Sequence, residues 1–187
     1  MAKQAVPSLP LHKLDTEIYD RMVASGALEG EPVELLDGWL VDVMSPQSPD
    51  HATVIERLTR SLGRAQARLR IQLPLEIPPD SEPEPDLALI ADPSSPAHHP
   101  RTALLVVEVS VSTQAIDRNI KASLYAKAGV PTYWIVDVPG KAVEVRSDPG
   151  PDGYRRCDIY PVGTKVPSPA PGVDDLDVGE LLEGVGS

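Results

Sequence analysis

Apolar and polar residues alternate along this chain with two different periods, and proline marks the boundaries between them. The windows 11–31, 50–73 and 101–130 contain none of the 21 prolines. A proline ring removes a hydrogen bond from a helix interior and clashes with the preceding turn, so each window is expected to hold a helix. In the first, Leu14, Ile18 and Met22 recur at helical spacing with Tyr19 and Val23 beside them. The second sets Ile55, Leu58, Leu62 and Leu69 on one face from a start near Ser48-Pro49-Asp50-His51, with His51 on that face at its first turn. Arg57, Arg60, Arg64 and Arg68 form a separate stripe. In the third, a helix can run from Ser112-Thr113 to Ala128 with Ile116, Ile120 and Leu124 inward and Gly129 near its end. Between the first two windows, Val33–Leu36 and Trp39–Met44 flank Asp37-Gly38, which predicts a two-residue β-hairpin. Further strands are predicted at Ile71–Ile77, Thr132–Asp137 and Val143–Arg146, the last two around a Pro139-Gly140 turn. From Asp148 onward proline, glycine and acidic residues dominate, and the expectation is a loosely structured tail with a short helix at Val178–Leu182.

Two acidic residues interrupt this apolar pattern. Asp86 opens the run Asp86-Leu87-Ala88-Leu89-Ile90, and Glu108 closes Leu104-Leu105-Val106-Val107-Glu108. A charge in a buried strand is costly unless it meets a partner or a metal. The loop from Ala91 to Thr102 has three prolines and two histidines, His98 and His99, which are expected to be solvated. The simplest connection is therefore an antiparallel pair of strands running out and back. With Ile90 opposite Leu104, counting four residues along each strand sets Asp86 beside Glu108 on one face. Two carboxylates converging at a sheet end suit a hard divalent cation such as Mg²⁺ or Mn²⁺. Asp117, Lys121 and Tyr125 are spaced by four and stack along one edge of the third helix, beside its apolar face. That helix starts close to Glu108, so Lys121 can reach the paired carboxylates, where it would orient or activate a water or stabilise charge developing in phosphoryl transfer.

Composition narrows the classes. At 187 residues the chain has room for one domain with a sizeable core: an N-terminal stretch over 1–13, a folded unit over 14–147, and an extension over 148–187 packed on or trailing it. A formal charge of −11 disfavours nonspecific attachment to a phosphate backbone. Cys157 is the single cysteine, and no cysteine and histidine cluster has zinc-ligand spacing, which points to a reducing, cytoplasmic setting without structural zinc. The N-terminus lacks the apolar stretch of a secretory signal, and no window approaches the ~20 apolar residues of a membrane span, so no membrane association is expected.

Taken in order, Pro85-Asp86, Glu108-Val109-Ser110, Asp117 with Lys121 and Tyr125, and Ala128-Gly129-Val130-Pro131 with Tyr133-Trp134-Ile135-Val136-Asp137 resemble the Uma-type restriction endonucleases, a branch of the PD-(D/E)XK nuclease superfamily. Glu34-Leu35-Leu36-Asp37-Gly38, Met44-Ser45-Pro46 and His51 fit the same pattern upstream, and the match covers roughly residues 15 to 146. The resemblance implies an α/β (α+β) fold, a restriction-endonuclease-like mixed β-sheet flanked by helices, with a metal-dependent phosphodiesterase site. It implies Asp86 and Glu108 as ligands of Mg²⁺ or Mn²⁺, Glu34 as a candidate to complete the metal site directly or through water, and Lys121 in place of the lysine that usually stands two residues after the glutamate, where this chain has Ser110. Thr132 follows Pro131 where the family commonly has glutamate.

Each reading has a plainer counterpart. Asp86 can be capped by backbone, Glu108 can be a buried acid paired with a lysine, and Asp117 with Lys121 forms an i,i+4 ion pair in the favourable order. His51 can be a satisfied core histidine, and the arginine stripe a solvated helix face or a track for phosphates. Tyr133 and Trp134 are read as core or interface residues, and the tail acids Asp174, Asp175, Asp177, Glu180 and Glu183 as solvating charge. The expected activity is endonucleolytic hydrolysis of nucleic acid, DNA foremost, with a homodimer if the substrate is duplex. The alternatives are a noncatalytic nucleic-acid-binding or assembly module, and hydrolysis of another phosphate ester.

Overall fold

The computed structural model describes residues 11–42, 48–91 and 98–186. Its centre is a six-stranded sheet built from β3 (Arg68–Ile71), β4 (Leu87–Ile90), β5 (Leu105–Ser110), β6 (Thr132–Asp137), β7 (Ala142–Gly150) and β8 (Gly153–Pro161), lying side by side in sequence order. Every neighbouring pair is antiparallel except β5 and β6, which are parallel. A parallel pair needs a crossover, and the helical stretch between those strands supplies it: a π-helical segment (Ile116–Lys121) running straight into α3 (Ala122–Lys127). The fold is thus the mixed sheet with flanking helices that the motif series implied.

The sheet is covered on both faces. Leu87, Leu89, Leu105, Val107, Val109, Trp134 and Val136 meet Val54, Leu58 and Leu62 of α2 (Pro49–Leu62) and the C-terminal Val178, Leu181 and Leu182. Ala88, Ile90, Val106, Tyr133 and Ile135 pack with Ala122, Leu124 and Tyr125 on the other side. All residues of β4 and β5 are buried, which explains why both read as unbroken apolar runs rather than alternating ones. Tyr133 and Trp134 lie in the core, as their strand context predicted.

Local chemistry sets the element ends. Asp15 caps α1 (Thr16–Ala24) by accepting the Ile18 amide at 2.8 Å, and Ser48 caps α2 by accepting that of His51, with Pro49 in the first turn. The hairpin of β1 (Val33–Leu36) and β2 (Trp39–Asp42) pairs Leu36 with Trp39 across Asp37 and Gly38, both at positive φ, as the Asp-Gly signal predicts. Val43 and Met44, and with them Met44-Ser45-Pro46, lie outside the described residues.

Several expectations are corrected. The second helix stops at Leu62 with Gly63 as its cap, so Leu69 and Arg68 belong to β3, and the strand expected at Ile71–Ile77 is instead Arg68–Ile71, ended by Gln72 at positive φ. In α1, Tyr19 is buried whereas Val23 is 54 % exposed. Ile120, expected inward, is 41 % exposed, while Asp117 and Lys121 are buried. The cause is the π-helical segment, whose wider turn delays rotation about the axis and carries the four-residue series onto the sheet side. The segment after Asp148 is no loose tail. It completes β7, forms β8, adds the small pair β9 (Lys165–Val166) and β10 (Leu176–Asp177), and ends in α4 (Val178–Leu182), placed as the sequence predicted. Asp177 caps that helix and Asp175 accepts the Ser168 amide, so two of the tail acids are structural.

Truncating Leu58 or Leu182 to alanine is expected to cost about 2–5 kcal/mol, whereas Ile120→Ala should stay within about 0.5 kcal/mol. Denaturant midpoints measure this; an Ile120 cost matching that of Leu58 would contradict the outward placement of that side chain.

Candidate active site

The site grows from the register of β4 and β5. Leu87 opposes Val107 and Leu89 opposes Leu105, so the residues just beyond, Asp86 and Glu108, stand beside each other at the sheet end, as the four-residue count predicted. Asp86 immediately precedes β4. Its Oδ2 accepts the Val109 amide at 2.8 Å and faces His51 Nε2 at 3.1 Å. A carboxylate only accepts, so the ring donates from Nε2. His51 Nδ1 is buried without a partner among the described residues, as suits the lone pair of that tautomer. His51 is therefore neither an ordinary core histidine nor remote from the site: it fixes Asp86.

Glu108 is enclosed from the opposite face. Lys121 Nζ donates to Glu108 Oε1 at 3.1 Å and lies 3.1 Å from Glu34 Oε1, while Tyr125 donates its hydroxyl to Glu108 Oε1 at 2.7 Å. Glu34 Oε2 accepts the Glu84 amide at 3.0 Å, which ties the β1–β2 hairpin to the strand carrying Asp86. The plain i,i+4 pairing of Asp117 with Lys121 does not describe the arrangement, because Lys121 pairs with Glu34 and Glu108 instead. Asp117 accepts the Thr113 hydroxyl at 2.6 Å, and the buried Ser110 hydroxyl lies 3.4 Å from that same Thr113 oxygen. Asp117 and Ser110 thus hold the start of the helix rather than touch Lys121.

The π-helical segment is itself anchored. The Asp117 carbonyl accepts the Tyr133 hydroxyl and the Arg118 carbonyl accepts Arg146 Nη1. Arg118 bridges Asp137 and Glu144 on β6 and β7, and Glu144 also pairs with Arg146. Of this network Asp117, Tyr133 and Asp137 were named in the sequence, but Arg118, Glu144 and Arg146 were given no role there, and neither was Glu84. The Thr113-x-x-x-Asp117 spacing was a legible signal for the helix anchor, whereas the cross-strand arginines carried none.

Burial dominates the electrostatics. Desolvation pushes the Glu108 carboxyl up to about 8, with Lys121 pulling it down and Asp86, Asp117 and Glu34 adding to the rise. Desolvation also raises Asp117 and Glu84. Burial alone would pull Lys121 down, but the attraction of Glu108, Glu34 and Asp117 outweighs it and holds the ammonium well above its ordinary range. The lysine stays charged. Both hydrogen bonds to Glu108 reach Oε1, and both contacts of Asp86 use Oδ2. Among the described residues, Glu108 Oε2 and Asp86 Oδ1 accept no hydrogen bond.

Those two oxygens are the positions through which Asp86 and Glu108 could hold a hard divalent cation, and Glu34, Glu84 and Asp117 add carboxyl groups near the same lysine. Among the described residues no three His, Cys, Asp or Glu side chains already converge as a metal-holding group. A Mg²⁺-like ion bound by two carboxylates completes its shell with water. Glu34 is occupied by Lys121 and the Glu84 amide, which favours a supporting place for it over direct ligation.

The arginines do not form a continuous stripe. Arg57 donates to the Leu181 and Glu183 carbonyls at the end of α4, Arg60 pairs with Glu56, Arg64 lies 3.9 Å from Asp174, and Arg68 is on β3. Arg57, Arg60 and Arg64 line a surface depression with Asp174, Asp175, Asp177 and Glu180, so their charge is met within the chain. His98 and His99 are both exposed, and His99 lies 3.9 Å from the buried Glu82.

Residues 17–179 match the model of the Uma2 family, described as "Putative restriction endonuclease". A crystal structure described as that of a "putative nuclease belonging to DUF820" from Anabaena variabilis ATCC 29413 is similar in fold, with a TM-score of 0.64 and 17 % identity over 82 % of this chain and 92 % of that one. No curated protein matches the chain. No helix among the described residues is long and apolar enough to cross a membrane. Because the family match runs from α1 into α4 and takes in both carboxylates, the lysine and the sheet that carries them, this chain belongs to the Uma2 family.

Proposed function

We propose that the chain is a Mg²⁺- or Mn²⁺-dependent endonuclease that hydrolyses phosphodiester bonds of nucleic acid, DNA foremost, by in-line attack of water. The observation that carries this is the β4–β5 register, which sets Asp86 beside Glu108 with the Lys121 ammonium buried against the latter. A bound divalent cation would polarise the scissile phosphate and lower the pKa of its water. Asp86 and Glu108 would hold it through Oδ1 and Oε2. His51 and the Val109 amide keep Asp86 turned to the site, and Tyr125 and Lys121 do the same for Glu108. A lysine held charged by two carboxylates is a poor base. Its part is to fix Glu108 and stabilise negative charge developing on the phosphate, while the water loses its proton to another acceptor.

One observation favours the noncatalytic alternative: with a net charge of −11, and with Arg57, Arg60 and Arg64 sharing a surface depression with Asp174, Asp175, Asp177 and Glu180, the described surface offers little to attract a polyanion. Metal binding that depends on Asp86 and Glu108 separates the two readings.

Asp86→Asn preserves shape and removes charge. It is expected to lower metal-dependent cleavage of plasmid, linear duplex, single-stranded DNA or RNA by about a hundredfold or more and to abolish calorimetric Mn²⁺ binding, with the fold intact by circular dichroism. Undiminished cutting by the folded variant would sink the assignment.

Lys121→Ala should lose cleavage and also stability, by about 3–5 kcal/mol, because it leaves Glu34 and Glu108 buried without their cation. Chemical denaturation reads this directly, and an unchanged midpoint would show that the lysine is not the structural counter-ion.

Raised carboxyl groups also set a pH dependence for the metal-free protein. Desolvation lifts Glu108 to about 8 and Glu82 to about 7. A raised pKa means that the folded state binds the proton more tightly than the unfolded one, so this stabilisation is complete below the unfolded value of ~4.3 and is lost as pH rises through the folded values. Melting temperature in chelator should therefore fall between about pH 5 and 8, and Glu108→Gln should flatten that slope; a rise across the window would contradict the assignment.

A further inference from the structure

The sheet has two edges of unequal character. β3, at one end, is four residues long, whereas β8, at the other, is nine residues long, and among the described residues nothing pairs with its outer side. Its inner side is fully used by β7, from Ala142 opposite Pro161 to Gly150 opposite Gly153. Residues 155–159 are exposed and Ile159 is 64 % exposed. The stretch from Tyr154 to Tyr160 contains neither glycine nor proline. Such an edge presents a row of free amides and carbonyls that can template a further strand.

The sequence of this edge, Tyr154-Arg155-Arg156-Cys157-Asp158-Ile159-Tyr160, is self-complementary about its centre. A strand joined antiparallel to its own copy is related to it by a two-fold axis perpendicular to the sheet, so side chains that oppose each other share a face and the axis passes midway between a residue and its own copy. Centred on Cys157, the pairing sets Arg156 against Asp158 of the second copy twice over, Arg155 against Ile159, and Tyr154 against Tyr160. Opposite charges directly across a strand pair are stabilising, and like charges are not. Moving the centre one residue either way sets Arg156 against itself or Asp158 against itself. Within the single chain the charged groups have only exposed partners, Arg155 with Asp148 at 3.0 Å and Arg156 with Asp158 at 3.4 Å, both of which a second copy can replace, whereas Tyr154 is already held by the Val130 carbonyl and stacked on Tyr133.

The geometry points to a second copy of this chain as the partner of the β8 edge, giving a two-fold dimer in which β8 pairs antiparallel with itself about Cys157 and the two sheets become one. This assignment stands apart from the nuclease reading and holds or fails without it.

Sedimentation over a concentration series, combined with charge exchange, tests it. Wild type should associate to a dimer. Arg156→Asp, which sets two carboxylates against each other on both sides of the axis, should weaken association about tenfold or more, and the double exchange Arg156→Asp with Asp158→Arg should restore it. Opposed residues across such a pair have Cα atoms about 4.5–5.5 Å apart, within disulfide reach. Diamide, which takes up the two electrons and two protons released by the thiols, should therefore cross-link wild type through the exposed Cys157 and should fail with Arg156→Asp at the same concentration. A protein that stays monomeric throughout, a dimer indifferent to the single reversal, or cross-linking that survives it would each overturn the proposal.

Discussion

A single buried ammonium organises the centre of this molecule. Lys121 sits between Glu34 of the β1–β2 hairpin and Glu108 of β5, and through them it joins the hairpin, the central sheet and the crossover helix. Taking those carboxylates out of water is tolerable because the cation lies against both, with the Tyr125 hydroxyl and the Glu84 amide filling further acceptor positions. The cluster remains over-supplied with carboxylates. Burial raises Glu84, Glu108 and Asp117 above the ordinary carboxylate range, which marks the cluster as an unusual electrostatic environment.

The position of Lys121 depends in turn on a local departure from helical geometry. In a regular α-helix, Asp117, Lys121 and Tyr125 would drift along one edge while Ile116, Ile120 and Leu124 faced the sheet. The π-helical segment changes that phase, so the polar series turns inward and Ile120 outward. Such a turn gives up good backbone hydrogen bonding. Here the Asp117 and Arg118 carbonyls are taken up by Tyr133 and Arg146, and Arg118 is clamped to Asp137 and Glu144. The β6–β7 hairpin thereby fixes the rotation of a helix whose one critical residue points at a different strand.

The supports of the two candidate ligands come from opposite faces of the sheet. His51, from α2, reaches Asp86 from the side that packs against the C-terminal helix, whereas Lys121 and Tyr125 approach Glu108 from the side of the crossover. The sheet end is therefore held from both layers, which limits how far either carboxylate can swing. The C-terminal segment contributes as well: Arg57 of α2 caps the end of α4, so the last helix braces the one that carries His51.

The sequence by itself determined the elements whose signal is local or whose strands are wholly buried. The Asp-Gly hairpin, the apolar runs of β4 and β5, their relative register, α4 and the approach of Lys121 to Glu108 were legible because turn chemistry, periodicity and chain connection each act over a few residues. The end of α2 at Leu62, the strand assignment of Arg68 and Leu69, and the sheet after Asp148 were not. There, tertiary packing overrode a weak local pattern, and a charged edge strand such as β8 carries little apolar signal. Tertiary structure alone also decided that His51 meets Asp86, that Glu34 shares Lys121, and that Arg57 reaches the Leu181 and Glu183 carbonyls. Each of these joins residues distant in sequence, and their pairing follows from the close fit of helices and sheet in three dimensions rather than from any preference written into a short stretch of chain.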